Sequence, residues 1–187
     1  MKETRIYEVR AAETPAGDGG MVLTGRAVVF DTPTVINDPA GPYTEVIERG
    51  ALDSAQLDDS RLVYNHDMTK VPLARTPRTM QLTVGPAGLD MRASLPDTEE
   101  ARAVYQAVRR GDLSAMSFAF TVPEGGDSYD AATNTRTIHR IAKVYELSIV
   151  PFAAYPTTSV EARSAIEDGD SRLALVKKCN QVMLHTI

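Results

Sequence analysis

One cysteine, three histidines, no run of basic residues and no long apolar stretch leave few chemistries open to this chain of 187 residues. Cys179 alone cannot close an intramolecular disulfide, which fits a reducing compartment, and it reads as a small apolar residue on a C-terminal helix. The opening residues Met1-Lys2-Glu3-Thr4-Arg5 lack the apolar core of a signal peptide, and no segment supplies the roughly 20 apolar residues of a membrane span. The expected setting is the inside of a cell, with no membrane partner. Lys and Arg number 20 against 25 Asp and Glu, a formal net charge of -5. Nothing here grips nucleic acid phosphates, so nucleic acid is not an expected partner. Neither a Cys pair nor a His-Glu-x-x-His spacing occurs, which argues against metal hydrolysis. Gly17, Gly19 and Gly20 precede no helix that could present its amides to a phosphate, and no cofactor is expected.

What is present is a chain that is 43% hydrophobic, enough to bury one ordinary core. Ile6 to Arg10 and Met21 to Phe30 read as a hairpin around a Gly/Pro/Asp-rich turn. Asp31 to Tyr43 carries Pro33, Pro39, Gly41 and Pro42 and reads as a long surface loop. Glu48 to Leu57 reads as a short helix, and Arg61 to His66 as a strand whose end holds His66. Thr79 to Val84 and Gly88 to Leu95 form a second strand pair. The clearest helix follows, capped by Asp97 with Glu100 three residues on, carrying Val104, Ala107 and Val108 at helical spacing and ended by Gly111. Ser114 to Val122 reads as a strand, Pro123 to Asn134 as a polar loop, and Thr135 to Val150 as one long strand or a bent pair. Val160 to Asp168 and Ser171 to His185 look helical. The expected class is α+β: a mostly antiparallel, β-barrel-like sheet with a few flanking helices, spanning 1–160 and followed by a helical tail over 161–187.

Scarcity of histidine narrows the search for a base near neutral pH to His66, His139 and His185. His185 sits at the end of the tail, and His139 reads as a half-exposed strand residue. Ser117 interrupts an apolar strand, and alternation places it with Ala119 and Thr121 opposite Met116, Phe118 and Phe120. Two readings stand for Ser117: a nucleophile with space around it, or a small residue filling a narrow site. Glu146 is a carboxylate in an otherwise apolar strand, either facing solvent, paired with an arginine, or orienting a base; His139 competes with it for the last role.

Leu23-Thr24-Gly25-Arg26-Ala27-Val28-Val29-Phe30, Glu45-Val46-Ile47-Glu48-Arg49-Gly50-Ala51-Leu52, Asn65-His66-Asp67, Leu73-Ala74-Arg75-Thr76 and Leu95-Pro96-Asp97-Thr98 occur in that order. Arg110-Gly111-Asp112-Leu113-Ser114-Ala115-Met116-Ser117-Phe118-Ala119-Phe120 follows, and then Glu146-Leu147-Ser148-Ile149-Val150-Pro151-Phe152-Ala153-Ala154-Tyr155-Pro156. This ordered set, from Ile6 to Arg163, resembles the prohead (capsid maturation) serine proteases of tailed phages.

The resemblance implies a fold similar to herpesvirus maturation proteases, with Ser117 as nucleophile, His66 as base and Glu146 as third member. His139 stays in play, because the herpesvirus enzymes use a second histidine there. It further implies an endopeptidase acting on capsid and scaffold polypeptides and on itself, self-associating, inside the procapsid assembling in the bacterial cytoplasm. The competing expectation is a catalytically inactive assembly scaffold with a protease-like fold. Ala74 and Ala119 stand where glycine is common in such proteins.

Overall fold

The computed structural model describes residues 2–11 and 20–151. The tail, its two expected helices, Cys179 and His185 lie outside the described residues. Twelve strands and one helix are laid out in chain order: β1 Lys2–Ala11, β2 Val22–Val29, β3 Thr34–Ile36, β4 Tyr43–Ile47, β5 Arg61–Tyr64, β6 Ala74–Arg75, β7 Met80–Gly85, β8 Gly88–Ser94, α1 Glu99–Arg110, β9 Ala115–Thr121, β10 Asp127–Asp130, β11 Thr135–Ile138 and β12 Lys143–Val150.

Eight strands form one sheet in the order β6-β5-β12-β9-β1-β2-β8-β7, and four form a second in the order β10-β11-β4-β3. β1 joins the two halves of the larger sheet: Lys2–Glu8 pairs with β9 and Val9–Ala11 with β2. Most pairings are antiparallel, but β5 runs parallel to β12 and β4 parallel to β11. The order is open. Among the described residues no ladder joins β6 to β7, and α1 is the only helix, so the barrel-like sheet with several helices becomes an open folded sheet with one.

Alternation decides which way the central strand faces. Met116, Phe118 and Phe120 of β9 enter the core, joined by Leu147 and Ile149 of β12, Leu62 of β5 and Leu23 of β2. The rings of Phe118 and Phe120 stack with centroids 4.7 Å apart. Each such buried side chain stabilises the fold by about 1.5–3 kcal/mol. α1 adds Ala101, Val104, Tyr105 and Val108 to the same cluster.

Several elements differ from the sequence reading, each for a local reason. The cap of α1 is Thr98 and not Asp97: the Thr98 hydroxyl accepts from the Ala101 amide at 3.3 Å, while the Asp97 carboxylate pairs with Arg102. Glu48 to Leu57 makes successive turns instead of a helix, because Gly50 adopts φ +93 and the Gln56 amide is drawn to the Ala142 carbonyl. The proline-rich loop contains β3, an edge strand with one partner, which tolerates neighbouring prolines. The polar loop contains β10, another edge strand, whose solvent exposure removes the apolar alternation that marks a strand. Thr135 to Val150 divides into β11 and β12 in different sheets, broken where the His139 and Arg140 amides both turn to the Gly126 carbonyl.

Gly88 opens β8 at φ +153, and a Cβ there would lie 1.8 Å from the Val28 carbonyl oxygen. Gly111 ends α1 at φ +82 with nothing within 4 Å of such a Cβ. Gly88→Ala is therefore expected to cost roughly 3 kcal/mol or more, because the β2 backbone must move. Gly111→Ala is expected to cost about 1 kcal/mol, from the left-handed φ alone. Urea denaturation of the two variants measures the difference, and equal losses would contradict the close approach at Val28.

Candidate active site

β12 carries a bulge. Lys143 and Val144 pair with Thr121 and Phe120, but the register shifts before Glu146, which pairs with Ala119. A shift of one residue moves every later side chain to the opposite face. Val144 thus points into the core, while Glu146 and Ser148 turn away from it and Leu147 and Ile149 return to it. Tyr145, the extra residue, is half-exposed. Ser148 comes to lie directly opposite Ser117, and one sheet face collects Ser117, Ser148 and Glu146, all buried.

His66 reaches this face from the end of β5. The Asn65 amide extends the parallel ladder to the Ile149 carbonyl at 2.9 Å, and the Asp67 amide closes a turn on the Tyr64 carbonyl. Asn65 and His66 both have left-handed backbones, φ +52 and +59, a conformation that costs a non-glycine residue about 1 kcal/mol or more. Ser148 offsets that cost by accepting the His66 amide on its hydroxyl at 2.8 Å.

The ring is held as well. His66 Nδ1 lies 2.7 Å from Glu146 Oε1, with the carboxylate side chain 4% exposed and the imidazole 37%. A carboxylate accepts only, so Nδ1 carries the proton and Nε2 is left as the acceptor of neutral histidine. The Ser117 hydroxyl makes no hydrogen bond among the described residues. The structure therefore brings His66 and Glu146 into contact and sets Ser117 on the same face, one strand over.

His139 is elsewhere. It follows β11 of the smaller sheet, with Nδ1 2.7 Å from Glu48 Oε2 and Nε2 2.8 Å from Ser128 Oγ. Both of its ring nitrogens are engaged there, by a carboxylate and a hydroxyl. Arg75 is engaged by Asp59 and Arg140 by the Glu124 carbonyl. No group of three or more His, Cys, Asp or Glu among the described residues could hold a metal ion, and no helix there is long and apolar enough to cross a membrane.

The loop beyond His66 is pinned. The Thr69 hydroxyl and amide both donate to Asp67, and Lys70 pairs with Glu100 on α1 at 2.9 Å. Ser148 and Ser128 carry roles the sequence reading did not assign. For Ser148 the signal was its i, i+2 spacing from Glu146 on a strand; Ser128 sits in a stretch read as loop.

The site thus holds a histidine–carboxylate pair with a buried serine on the same sheet face. A family model described as caudovirus prohead serine protease matches residues 5–171, and the chain belongs to that family. No curated protein and no solved structure matches the chain significantly.

Deleting Tyr145 removes the bulge and leaves plain alternation in the same phase, with Val144 still facing the core and Glu146 the opposite face. The deletion variant is expected to keep the His66–Glu146 hydrogen bond, read from the Nδ1 proton resonance, and loss of that resonance would contradict the assignment of Tyr145 as the extra residue. A second prediction concerns Asp67, whose carboxyl the Thr69 hydroxyl holds below the usual range, aided by the Thr69 amide and Lys70. Because this pKa is lowered on folding, the tie contributes at neutral pH and is lost as pH falls through the folded value. In Thr69→Val the Asp67 carboxyl, followed by NMR titration, should move up toward the ordinary range; an unchanged value would remove the hydroxyl as its cause.

Proposed function

We propose that the chain is a serine endopeptidase in which Ser117 is the nucleophile, His66 its general base and Glu146 the carboxylate that orients the base. The observation that carries this reading is the 2.7 Å contact between His66 Nδ1 and Glu146 Oε1, on the sheet face that holds Ser117.

Ser117 Oγ attacks the carbonyl carbon of the scissile peptide as its proton passes to His66 Nε2. Glu146 stabilises the imidazolium that forms, which then gives the proton to the departing amine. Water repeats the sequence on the acyl-serine. Ser117 must first come within about 3 Å of Nε2, a closure that substrate binding commonly supplies. The substrates in this reading are capsid and scaffold polypeptides and the chain's own C-terminal tail, cut inside the assembling procapsid by a self-associating enzyme. A fold akin to the herpesvirus maturation proteases belongs to the same reading. The competing reading, an inactive assembly scaffold, has one observation on its side: Ser117 is fully buried.

Ser117→Ala should leave the fold intact and reduce cleavage of a co-expressed capsid or scaffold substrate by at least ~10³-fold. His66→Ala should reduce cleavage by a comparable factor, since no base then takes the serine proton. Gel analysis of substrate and tail over time reads both. Continued cutting by Ser117→Ala would remove the nucleophile, and an intact substrate with the wild type would favour the scaffold.

A further inference from the structure

Ser128, His139 and Glu48 come from three separate elements and form a second hydrogen-bonded chain. Ser128 Oγ meets His139 Nε2 at 2.8 Å, and His139 Nδ1 meets Glu48 Oε2 at 2.7 Å. With Glu48 ionised, Nδ1 carries the ring proton and Nε2 accepts from the hydroxyl. Hydroxyl, imidazole and carboxylate stand in the order that activates a serine. None of the three belongs to the arrangement around Ser117, which lies in the other sheet.

Backbone contacts hold each member. Ser128 pairs with Thr137 across the β10–β11 ladder. The His139 amide donates to the Gly126 carbonyl at 2.8 Å, which makes Ser128 and His139 diagonal neighbours on one face. A Cβ at Gly126 would come within 2.9 Å of the Arg140 carbonyl oxygen, so that turn is packed too closely to drift. The Glu48 amide donates to the Ile138 carbonyl at 3.0 Å.

Accessibility separates this serine from the other. Ser128 is exposed, and the His139 and Glu48 side chains are 40% and 47% exposed. β10 is the edge of its sheet. In an antiparallel ladder bonded at Ser128, the amides of Asp127 and Tyr129 face the open edge. The amide that follows a nucleophilic serine is a common oxyanion donor, and here it is that of Tyr129.

We propose that Ser128 is a second reactive serine, acylated by small activated esters. Its Oγ bonds to the ester carbonyl carbon while the hydroxyl proton moves to His139 Nε2. The bond from that carbon to the leaving oxygen breaks, the leaving group takes the proton from Nε2, and acyl-Ser128 remains.

The test uses the full chain with Ser117→Ala, treated with p-nitrophenyl acetate and mapped by peptide mass spectrometry. The expected result is acetyl-Ser128, formed at least about tenfold more slowly in His139→Gln and also slowed in Glu48→Gln. All three side chains are exposed, and unchanged circular dichroism confirms that the variants fold. No acetyl group on Ser128, or a rate indifferent to His139, would overturn the assignment. The wild-type chain reports Ser117 as a separate peptide, so the two serines succeed or fail independently.

Discussion

The bulge at Tyr145 is the constraint on which the site depends. β12 must serve two layers at once, giving Val144, Leu147 and Ile149 to the core and Glu146 and Ser148 to the opposite face. A regular strand cannot do this, because its alternation would set Val144, Glu146 and Ser148 together. One extra residue reconciles the demands. It fixes the carboxylate that meets His66 and the hydroxyl that receives the His66 backbone, so position and orientation of the histidine both derive from one strand. The two left-handed residues at Asn65 and His66 fit the same logic, since strain at a functional turn persists only where neighbours over-determine it.

The strands rich in apolar alternation were legible in the sequence, and so was the helix within one residue at its start. β3 and β10 were not. Both are short edge strands with a single partner, and neither buries a full face, so no periodic signal marks them. The apparent helix at Glu48 failed because a favourable local pattern yielded to tertiary hydrogen bonds at Gln56 and to the left-handed Gly50. At the site, His66 and Glu146, both singled out in the sequence, lie in contact. For Ser148 the i, i+2 spacing from Glu146 marks the shared face but not the contact, which is made to a backbone amide. His139, ranked there as an alternative third member, is separated by the split of Thr135 to Val150 into two sheets, and that split is set by Gly126.

The same three residue types thus occur twice in opposite surroundings. Around Glu146 the carboxylate is almost fully buried, and its hydrogen bond to the imidazole gains from the low local dielectric. Around Glu48 water screens the carboxylate, and the arrangement depends more on backbone placement. One favours strong stabilisation of developing charge and restricts entry; the other admits any small reagent and stabilises less. The chain belongs to a protease family, and the buried arrangement lies in the sheet half built around β9.

β1 pairs with β9 across more of the sequence than any neighbouring strands do, placing Ile6 beside Ser117, while β12 supplies the other flank with residues near 150. The strand that holds Ser117 is therefore flanked by β1, early in the described chain, and by β12, at its end. At roughly 5–20 residues per second, the face around it cannot assemble until synthesis has passed Val150. Translation itself becomes a timer for when the surroundings of Ser117 can form.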